Sequence, residues 1–598
     1  MKNALYDHPA YTTRAEFLTL DERVLLAYER TRVVLRTWNL SIDDILRCSP
    51  RFWNMQLDPI LVLDIGCNNI LACHVNLFLG TLAPLLPKRP DLLPVVQRAL
   101  CGEIIGNFLL SEIGHGLDIT RLETTATKVV DGFILNTPTQ SAMKFMPPTT
   151  PVPGYPKMAI VFARLFVDGE DRGVHPFLVC TSDEHGMCEG VKSVRLPPRS
   201  GGSPLDFAVT SFHRVKLPST AFLGHSLEAP KDPHALLSKY IWRIPIGSMT
   251  LPLTAVPSAK MGATIGIDYS FRRHVQGKGP EKVPIISFRT QQLPVLYTTA
   301  IAYVLEAWAP RALEQFMSQE LSPETRAGVC VVFKATMCRL LTHHFHMLGE
   351  RLGAQGIFGY NLLSQMEMDI RGISIAEGDI LVLSIRLFSE LLIGRYTLPP
   401  PTHADTLLSR RSAAIFTRCA SLLSTFPRGH RDERFNDLIL PQSEPAITAQ
   451  GCAYAYSCGL DAGVPRPLLD LFELAAIKLD PGWYAEHAGI SADELLMRED
   501  KAVKTALPHL KRYGDEMNVR NWVNAPIISD LAWEGWFGQL TARQSYTGHA
   551  EQCTVVEDWP HGLNASLNGQ IDEEHVQRRG HYLNHPTNRN RVGAQAKL

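Results

Sequence analysis

Residues 108–126 read FLLSEIGHGLDITRLETTA, and they sit where the chain changes character. Upstream, apolar residues recur at helical spacing; downstream, strand and turn signals take over. Ser111, Gly114 and Gly116 occupy the junction, followed by a hydroxyl-rich run. Glycines let backbone N–H groups approach a neighbour closely, and Ser or Thr hydroxyls both donate and accept. By itself such a segment is a tight turn between two kinds of structure.

Working outward, Leu20-Asp21-Glu22-Arg23 opens an amphipathic helix, and short punctuated helices continue to about residue 110. On the other side, Thr125 to Val130 and Phe133 to Asn136 flank Asp131-Gly132, a hairpin signal. Met158 to Val167 and Val174 to Cys180 repeat strand, turn and strand around Asp168-Gly169, with a longer loop expected. Residues 111–224 thus read as a small antiparallel β domain. Helical periodicity returns in Leu293 to Met317, Val329 to Leu352 and Ile380 to Ile393, and Pro399-Pro400-Pro401 reads as a linker. Short helices follow to about residue 550, and the polar stretch after Pro560 reads as loop or partly disordered. The expected fold class is α+β, mainly α. It has an N-terminal helical domain (1–110), a β domain (111–235), a helical domain (236–398) and a second helical domain with a polar tail (402–598).

Composition narrows the function. The 598 residues are 45% hydrophobic with a net charge of −1, so no global field draws nucleic acid or an anionic membrane. Twelve cysteines without a C-x-x-C pair fit reduced thiols in an intracellular compartment. The N-terminus shows no apolar signal-peptide core. Pro59 to Pro87 is long enough to span a bilayer, but Asp64, Asn68, Asn69, His74 and Asn76 interrupt it, so it reads as buried helices. No phosphate loop, nucleophile elbow or H-E-x-x-H occurs. His343, His346 and Glu350 share a helical face, the one metal-like spacing, and the plainer reading as helix-surface or core histidines is preferred; no metal is expected.

The quoted stretch resembles the T-E-x-G-H-G…L-E-T-T-A segment of the acyl-CoA oxidases, within the acyl-CoA dehydrogenase superfamily. Further matches follow in family order: Asn136 to Thr139 with Lys144, Phe212 to Gly224, Arg272-Arg273, Ile285 to Gln292, Gly353 to Gly356, and Ala376-Glu377-Gly378-Asp379. The resemblance spans roughly residues 20–395. It implies a helical domain, a β domain, a four-helix domain and, in oxidases, a second helical domain. It also implies FAD held across a homodimer interface, an acyl-CoA substrate and O2 as electron acceptor, with no nucleic acid and no membrane span.

In that resemblance Glu377 is the catalytic base, Gly378 lets the chain turn close to substrate, and Asp379 caps the helix that follows. Cofactor-binding positions are Ser111, Gly114, Gly116, Lys144, Phe145, Arg272, Gln291, Gln292, Gly353, Gly356, Gly378 and Asp379. Departures are local. Phe145-Met146-Pro147-Pro148-Thr149-Thr150 replaces the family's aromatic-Pro-Gly-Gly segment, and Ala354, Gln355 and Ile380 replace a Gly, a His and an Asn. They point to a specialised branch with an unusual acyl group. The final Ala596-Lys597-Leu598 resembles a peroxisomal address, with the cytoplasm as the other compartment expected. Two further functions stay open: a related flavoenzyme acting on a non-CoA or carrier-bound substrate, and a catalytically silent scaffold with the same fold.

Overall fold

The computed structural model describes residues 5–116 and 118–540. Ala596-Lys597-Leu598 and the polar stretch after Pro560 lie outside them. The chain divides into two units, Met1–Ser529 and Asp530–Leu598. The described part of the second carries one short helix, Asp530–Phe537.

In the first unit, helix α1 (Leu20–Trp38) starts on a capping box: Thr19 accepts from the Glu22 amide, and Glu22 accepts from the Thr19 amide. Helix α2 (Ile65–Leu71) opens the apolar run that continues to Leu85. That run is long and apolar enough to cross a membrane, yet 83% of its most apolar window is buried inside the fold. The polar residues in it have internal partners. His74 bonds the Ala99 carbonyl and the Gly106 amide, and Asn76 donates to the Arg243 carbonyl.

Nine strands follow: β1 (Ile105–Leu109), β2 (Thr125–Val129), β3 (Gly132–Asn136), β4 (Lys144–Phe145), β5 (Lys157–Val167), β6 (Glu170–Ser182), β7 (Val191–Arg195), β8 (Ala208–Phe212) and β9 (Val215–Pro218). One sheet runs β1-β5-β2-β3-β9 with β6 paired to β5; a second runs β4-β8-β7. The β2–β3 hairpin turns at Val130-Asp131, one residue before Gly132. Two ladders, β1–β5 and β2–β5, are parallel, which the antiparallel expectation did not include. The apolar run of β5 is suited to a central strand: seven of its eleven residues are fully sequestered, and neighbours flank it on both edges. The β5–β6 turn is also tighter than expected. Val167 pairs with Glu170, leaving only Asp168 (φ 51°) and Gly169 (φ 82°), the left-handed pair a two-residue hairpin needs.

The helical layer is built from α3 (Ile244–Arg272), α4 (Arg289–Met317), α5 (Pro323–Arg351), α6 (Leu363–Ile375) and α7 (Ile380–Leu392). Helix α3 was not anticipated. Pro252 and Pro257 lie inside it and read as breakers, but the helix is buried along almost its whole length. Packing on α4 and α5 outweighs the lost hydrogen bonds. Beyond the prolines at 399–401 come α8 (Leu407–Ser424), α9 (Ser443–Asp461) and α10 (Arg466–Ile477), which pack on α4, α5 and each other.

Candidate active site

Glu377 lies in the turn between α6 and α7 and takes a left-handed backbone, φ 53°; Gly378 follows at φ 103°. A non-glycine residue rarely adopts this conformation, so the surroundings must hold it. They hold it through its carbonyls. Lys334 of α5 donates from Nζ to the Ala376 and Gly378 carbonyls at 2.5 and 2.6 Å. Ser248 of α3 donates to the Glu377 carbonyl at 2.6 Å. Asp379 accepts from the Leu381 and Val382 amides and caps α7.

The turn directs the Glu377 carboxylate inward against α3. As a residue Glu377 is only half-buried, yet its Oε2 is sealed from solvent and has no hydrogen-bond partner. A Cβ added to Gly247 would lie 1.3 Å from that oxygen, so the glycine makes the space the carboxylate fills. Gly247→Ala is therefore expected to expel the carboxylate from this position and to lower any Glu377-dependent turnover by at least about tenfold. Unchanged kcat with an unchanged fold would show that this position is not used.

Burial pushes the Glu377 carboxyl up to about 8, while the positive charges of Lys334 and Arg243 pull it down. Arg243 is itself fully buried. Its Nε donates to the Asn76 carbonyl and Oδ1 at 2.9 and 3.0 Å, its Nη1 donates to the Ile45 carbonyl at 2.9 Å, and its Nη2 has no partner. Cys73 and Cys330, both pushed up to about 12 by burial, also feel the Glu377 charge. Cys73 additionally meets the Phe108 backbone, so one thiol neighbours both the carboxylate and the start of the 108–126 stretch. A carboxylate that prefers its proton, in a dry site near neutral pH, has the properties of a general base.

Residues 110–116 and 118–124 connect β1 to β2 and meet β4 where Glu112 bridges Lys144. The Phe145 amide donates to the Ser111 carbonyl at 3.1 Å, and the Gly114 amide donates to the Ser141 carbonyl at 2.9 Å. A Cβ on Gly114 would lie 2.8 Å from the Ser141 Cβ, whereas one on Gly116 would meet nothing within 4 Å. Gly114 thus permits a close approach, and Gly116 borders open space. Phe145 and Met146 stand 40% and 36% exposed beside this loop, apolar surface at the edge of the three-stranded sheet.

Lys144 is completely buried and paired to Glu112 Oε1 at 2.9 Å, with a second bond to the Leu110 carbonyl. A buried cation needs such a partner. Glu112 in turn accepts from the Glu123 and Thr124 amides at 2.7 and 3.0 Å. The two Gln side chains also turn inward. Gln291 donates to Ser270 Oγ at 2.8 Å and to the Arg351 carbonyl at 3.3 Å, and Gln292 donates to the Ile286 carbonyl at 2.9 Å. Gln291 thereby draws the ends of α3 and α5 together, gathering Arg272 and Gly353 at one corner. There Arg272 bonds the Ile527 carbonyl at 3.2 Å.

Gly353 takes φ 60° with open space before it, and Gly356 rests on the α5 backbone, where a Cβ would fall 2.1 Å from the Gly349 carbonyl. Gln355, which stands at the family's His, accepts from Asn361 Nδ2 at its own carbonyl and at Oε1, closing the loop. Ile357 and Phe358 follow, 76% and 46% exposed. Of the histidine cluster, His346 pairs with Glu350 and Glu367, and His344 is buried against the Leu340 carbonyl. Among the described residues no three potential ligand side chains converge on a point.

Sequence reasoning passed over Glu112, Arg243, Gly247, Ser248 and Lys334. Lys334 did leave a signal, as the one charged residue in the run 327–338. The others are defined only by distant partners.

A mixed β domain set among helices is also the fold of solved acyl-CoA oxidases. The crystal structure of acyl-CoA oxidase 3 from Yarrowia lipolytica matches with a TM-score of 0.75 over 99% of this chain and 92% of that one, at 17% identity. Acyl-CoA oxidase-2 of Caenorhabditis elegans, solved with FAD, ascaroside-CoA and ATP, matches with a TM-score of 0.72 over 89% of this chain and 88% of that one, also at 17% identity. In sequence, the chain is 27% identical to the peroxisomal acyl-coenzyme A oxidase 3 of Arabidopsis thaliana over 309 residues, 49% of this chain and 45% of the relative. It is 26% identical to acyl-coenzyme A oxidase acox-1.3 of Caenorhabditis elegans over 405 residues, 63% and 58%. The matched region spans about half the length of these curated relatives. No family model matches the chain. In fold and in sequence the chain is similar to the acyl-CoA oxidases, at low identity.

Proposed function

We propose that this protein is a flavoprotein oxidase. It removes the α-proton and the β-hydrogen of an acyl-CoA thioester to leave the trans-2-enoyl-CoA, with O2 as final acceptor and H2O2 released. The observation that carries this reading is the Glu377 carboxylate: sealed, unpartnered, raised toward neutrality, and held on a strained turn by Lys334 and Ser248.

The residues present fit FAD. Open space lies in front of Gly116 and Gly353, where a side chain would obstruct nothing of the protein's own. Phe145 and Met146, beside the Ser111 side of the loop, offer an exposed apolar surface. Ser111, Gly114 and Gly116 would line one side, and Arg272 and the Gly353–Gly356 loop another. Bound FAD supplies the hydride acceptor and the route of electrons to O2. Glu377 Oε2 takes the α-proton, and because the site is dry the carboxylate is a stronger base than one in water. Lys334 and Ser248 fix the turn so that the carboxylate's reach is set by the backbone.

An acyl-CoA substrate and the peroxisome are proposed from the names of the relatives, and a homodimer from exposed Ile357 and Phe358 beside the Gly353–Gly356 loop. A second reading, oxidation of a carrier-bound acyl group, draws on the proline-stiffened segment after Phe145. There Thr149 bonds Ser193 and Thr210, and Thr150 bonds Asp206. Purified protein reconstituted with FAD is expected to show the flavin visible spectrum and to release peroxide with some members of an acyl-CoA panel. Peroxide with carrier-bound acyl groups alone would select the second reading. Failure to take up flavin would refute both and leave a silent scaffold.

A further inference from the structure

We propose that Cys180 and Cys188 form an oxidation site at which peroxide closes a disulfide across the turn that follows β6. The two sulfurs lie 3.3 Å apart, with the Cys188 thiol donating to the Cys180 sulfur. No other two thiols among the described residues are hydrogen-bonded to each other. Cys180 is exposed near the end of β6, and Cys188 is half-buried against the β-domain core.

Both positions are held by backbone. The Cys188 amide donates to the Thr181 carbonyl at 3.1 Å, Ser182 pairs with Met187, and Asp183 Oδ1 accepts from the His185 and Gly186 amides to close the turn. On the other side, Thr181 Oγ1 donates to the Lys157 carbonyl at 3.1 Å. The turn therefore keeps the two cysteines opposed. Closing from 3.3 Å to a bond of about 2.05 Å asks mainly for side-chain rotation.

The order of events follows from the environment. Burial, together with Cys180 and Asp183, pushes the Cys188 thiol up to about 12, so Cys188 keeps its proton and donates it, while exposed Cys180 meets the oxidant. The Cys180 thiolate attacks one peroxide oxygen. An S–O bond forms, the O–O bond breaks, and the departing hydroxide takes a proton to become water. The Cys188 sulfur then attacks the sulfenic acid, the S–S bond forms, and the hydroxyl leaves as a second water. Two thiols are oxidised by two electrons and one H2O2 is reduced to two waters.

H2O2 is also the by-product of the reaction proposed above, and only the source of the oxidant rests on that reading. Lys157 links the pair to the segment after Phe145: its carbonyl lies 3.9 Å from the Cys180 sulfur, and its Nζ donates to the Pro148 carbonyl.

Both cysteines fall in one tryptic peptide, residues 173–192. Reagent H2O2 added to the FAD-reconstituted protein is expected to make that peptide lighter by two hydrogens and to remove both its thiols from alkylation, with recovery on reduction. Cys188→Ser should instead trap Cys180 as a sulfenic acid that reacts with dimedone. Peroxide that oxidises exposed Cys101 yet leaves Cys180 and Cys188 alkylatable would overturn the proposal. A parallel arm replaces reagent peroxide with acyl-CoA turnover, with and without catalase. Closure with the reagent but not with turnover supports the site and counts against the oxidase reading.

Discussion

Glu377→Gln is expected to lower turnover by about 10²–10⁴-fold while the oxidised flavin spectrum stays in place. Gln has nearly the same shape, so it fills the space before Gly247 and leaves the Lys334 and Ser248 bonds to the turn carbonyls available. What it lacks is an oxygen able to take a proton. Substrate should therefore no longer bleach the flavin, which separates loss of the base from loss of the cofactor. Turnover within a few-fold of the parent would remove Glu377 from the mechanism.

The same substitution has a signature in pH. The carboxyl titrates near 4.5 when unperturbed and near 8 in the fold, and only its ionised form is a base. In the parent protein kcat/KM should rise with pH through a midpoint near 8. Stability runs the other way. Below pH 4.5 the group is protonated folded and unfolded alike; between 4.5 and 8 the unfolded chain releases the proton that the fold retains. The stability conferred is full at the acid end and is lost as pH climbs through the folded value. Glu377→Gln has no such proton, so its Tm should fall less across that window than the parent's. Equal slopes would mean that the carboxylate is not sequestered.

Local chemistry made part of this site legible. Asp379 before an apolar helical run marks an N-cap, and Gly378 marks a turn; both features lie within four residues of Glu377. The inward course of the carboxylate depends on Gly247, Ser248 and Lys334, which are 130, 129 and 43 positions away in the chain. Nothing in the residues around 377 signals them. The β domain divides in the same way. Asp168-Gly169 marks a turn but not its two-residue length, which is set by the pairing of Val167 with Glu170, and the parallel pairing of β1 with β5 joins segments some fifty residues apart. Helix α3 stayed hidden for a third reason: Pro252 and Pro257 carry a helix-breaking signal that only surrounding apolar packing overrides. Lys144 was read by its place in a motif, and motif position does not say whether an ammonium faces a ligand or a buried carboxylate.

That last point leads to a large expected effect on stability. Lys144→Met should destabilise the protein by about 3–5 kcal/mol, because it leaves the Glu112 carboxylate charged, buried and without its cation. Both side chains of the pair are wholly inaccessible, so water cannot compensate. Burial already lowers Lys144 to about 8 against the pull of Glu112, which shows how closely the two charges balance. The damage should reach the ligand side as well. Glu112 anchors the Glu123 and Thr124 amides, and with them the fold of the 112–124 loop that carries Gly114 and Gly116. FAD retention on dilution should therefore fall along with the urea midpoint. Adding Glu112→Gln to Lys144→Met removes the stranded charge while keeping an acceptor for one amide, and should recover much of the lost stability. A double variant as unstable as the sum of the two single ones would mean that the two charges do not depend on each other. Recovery of stability without recovery of flavin would assign the ionised Glu112, rather than loop packing alone, to the cofactor side of the fold.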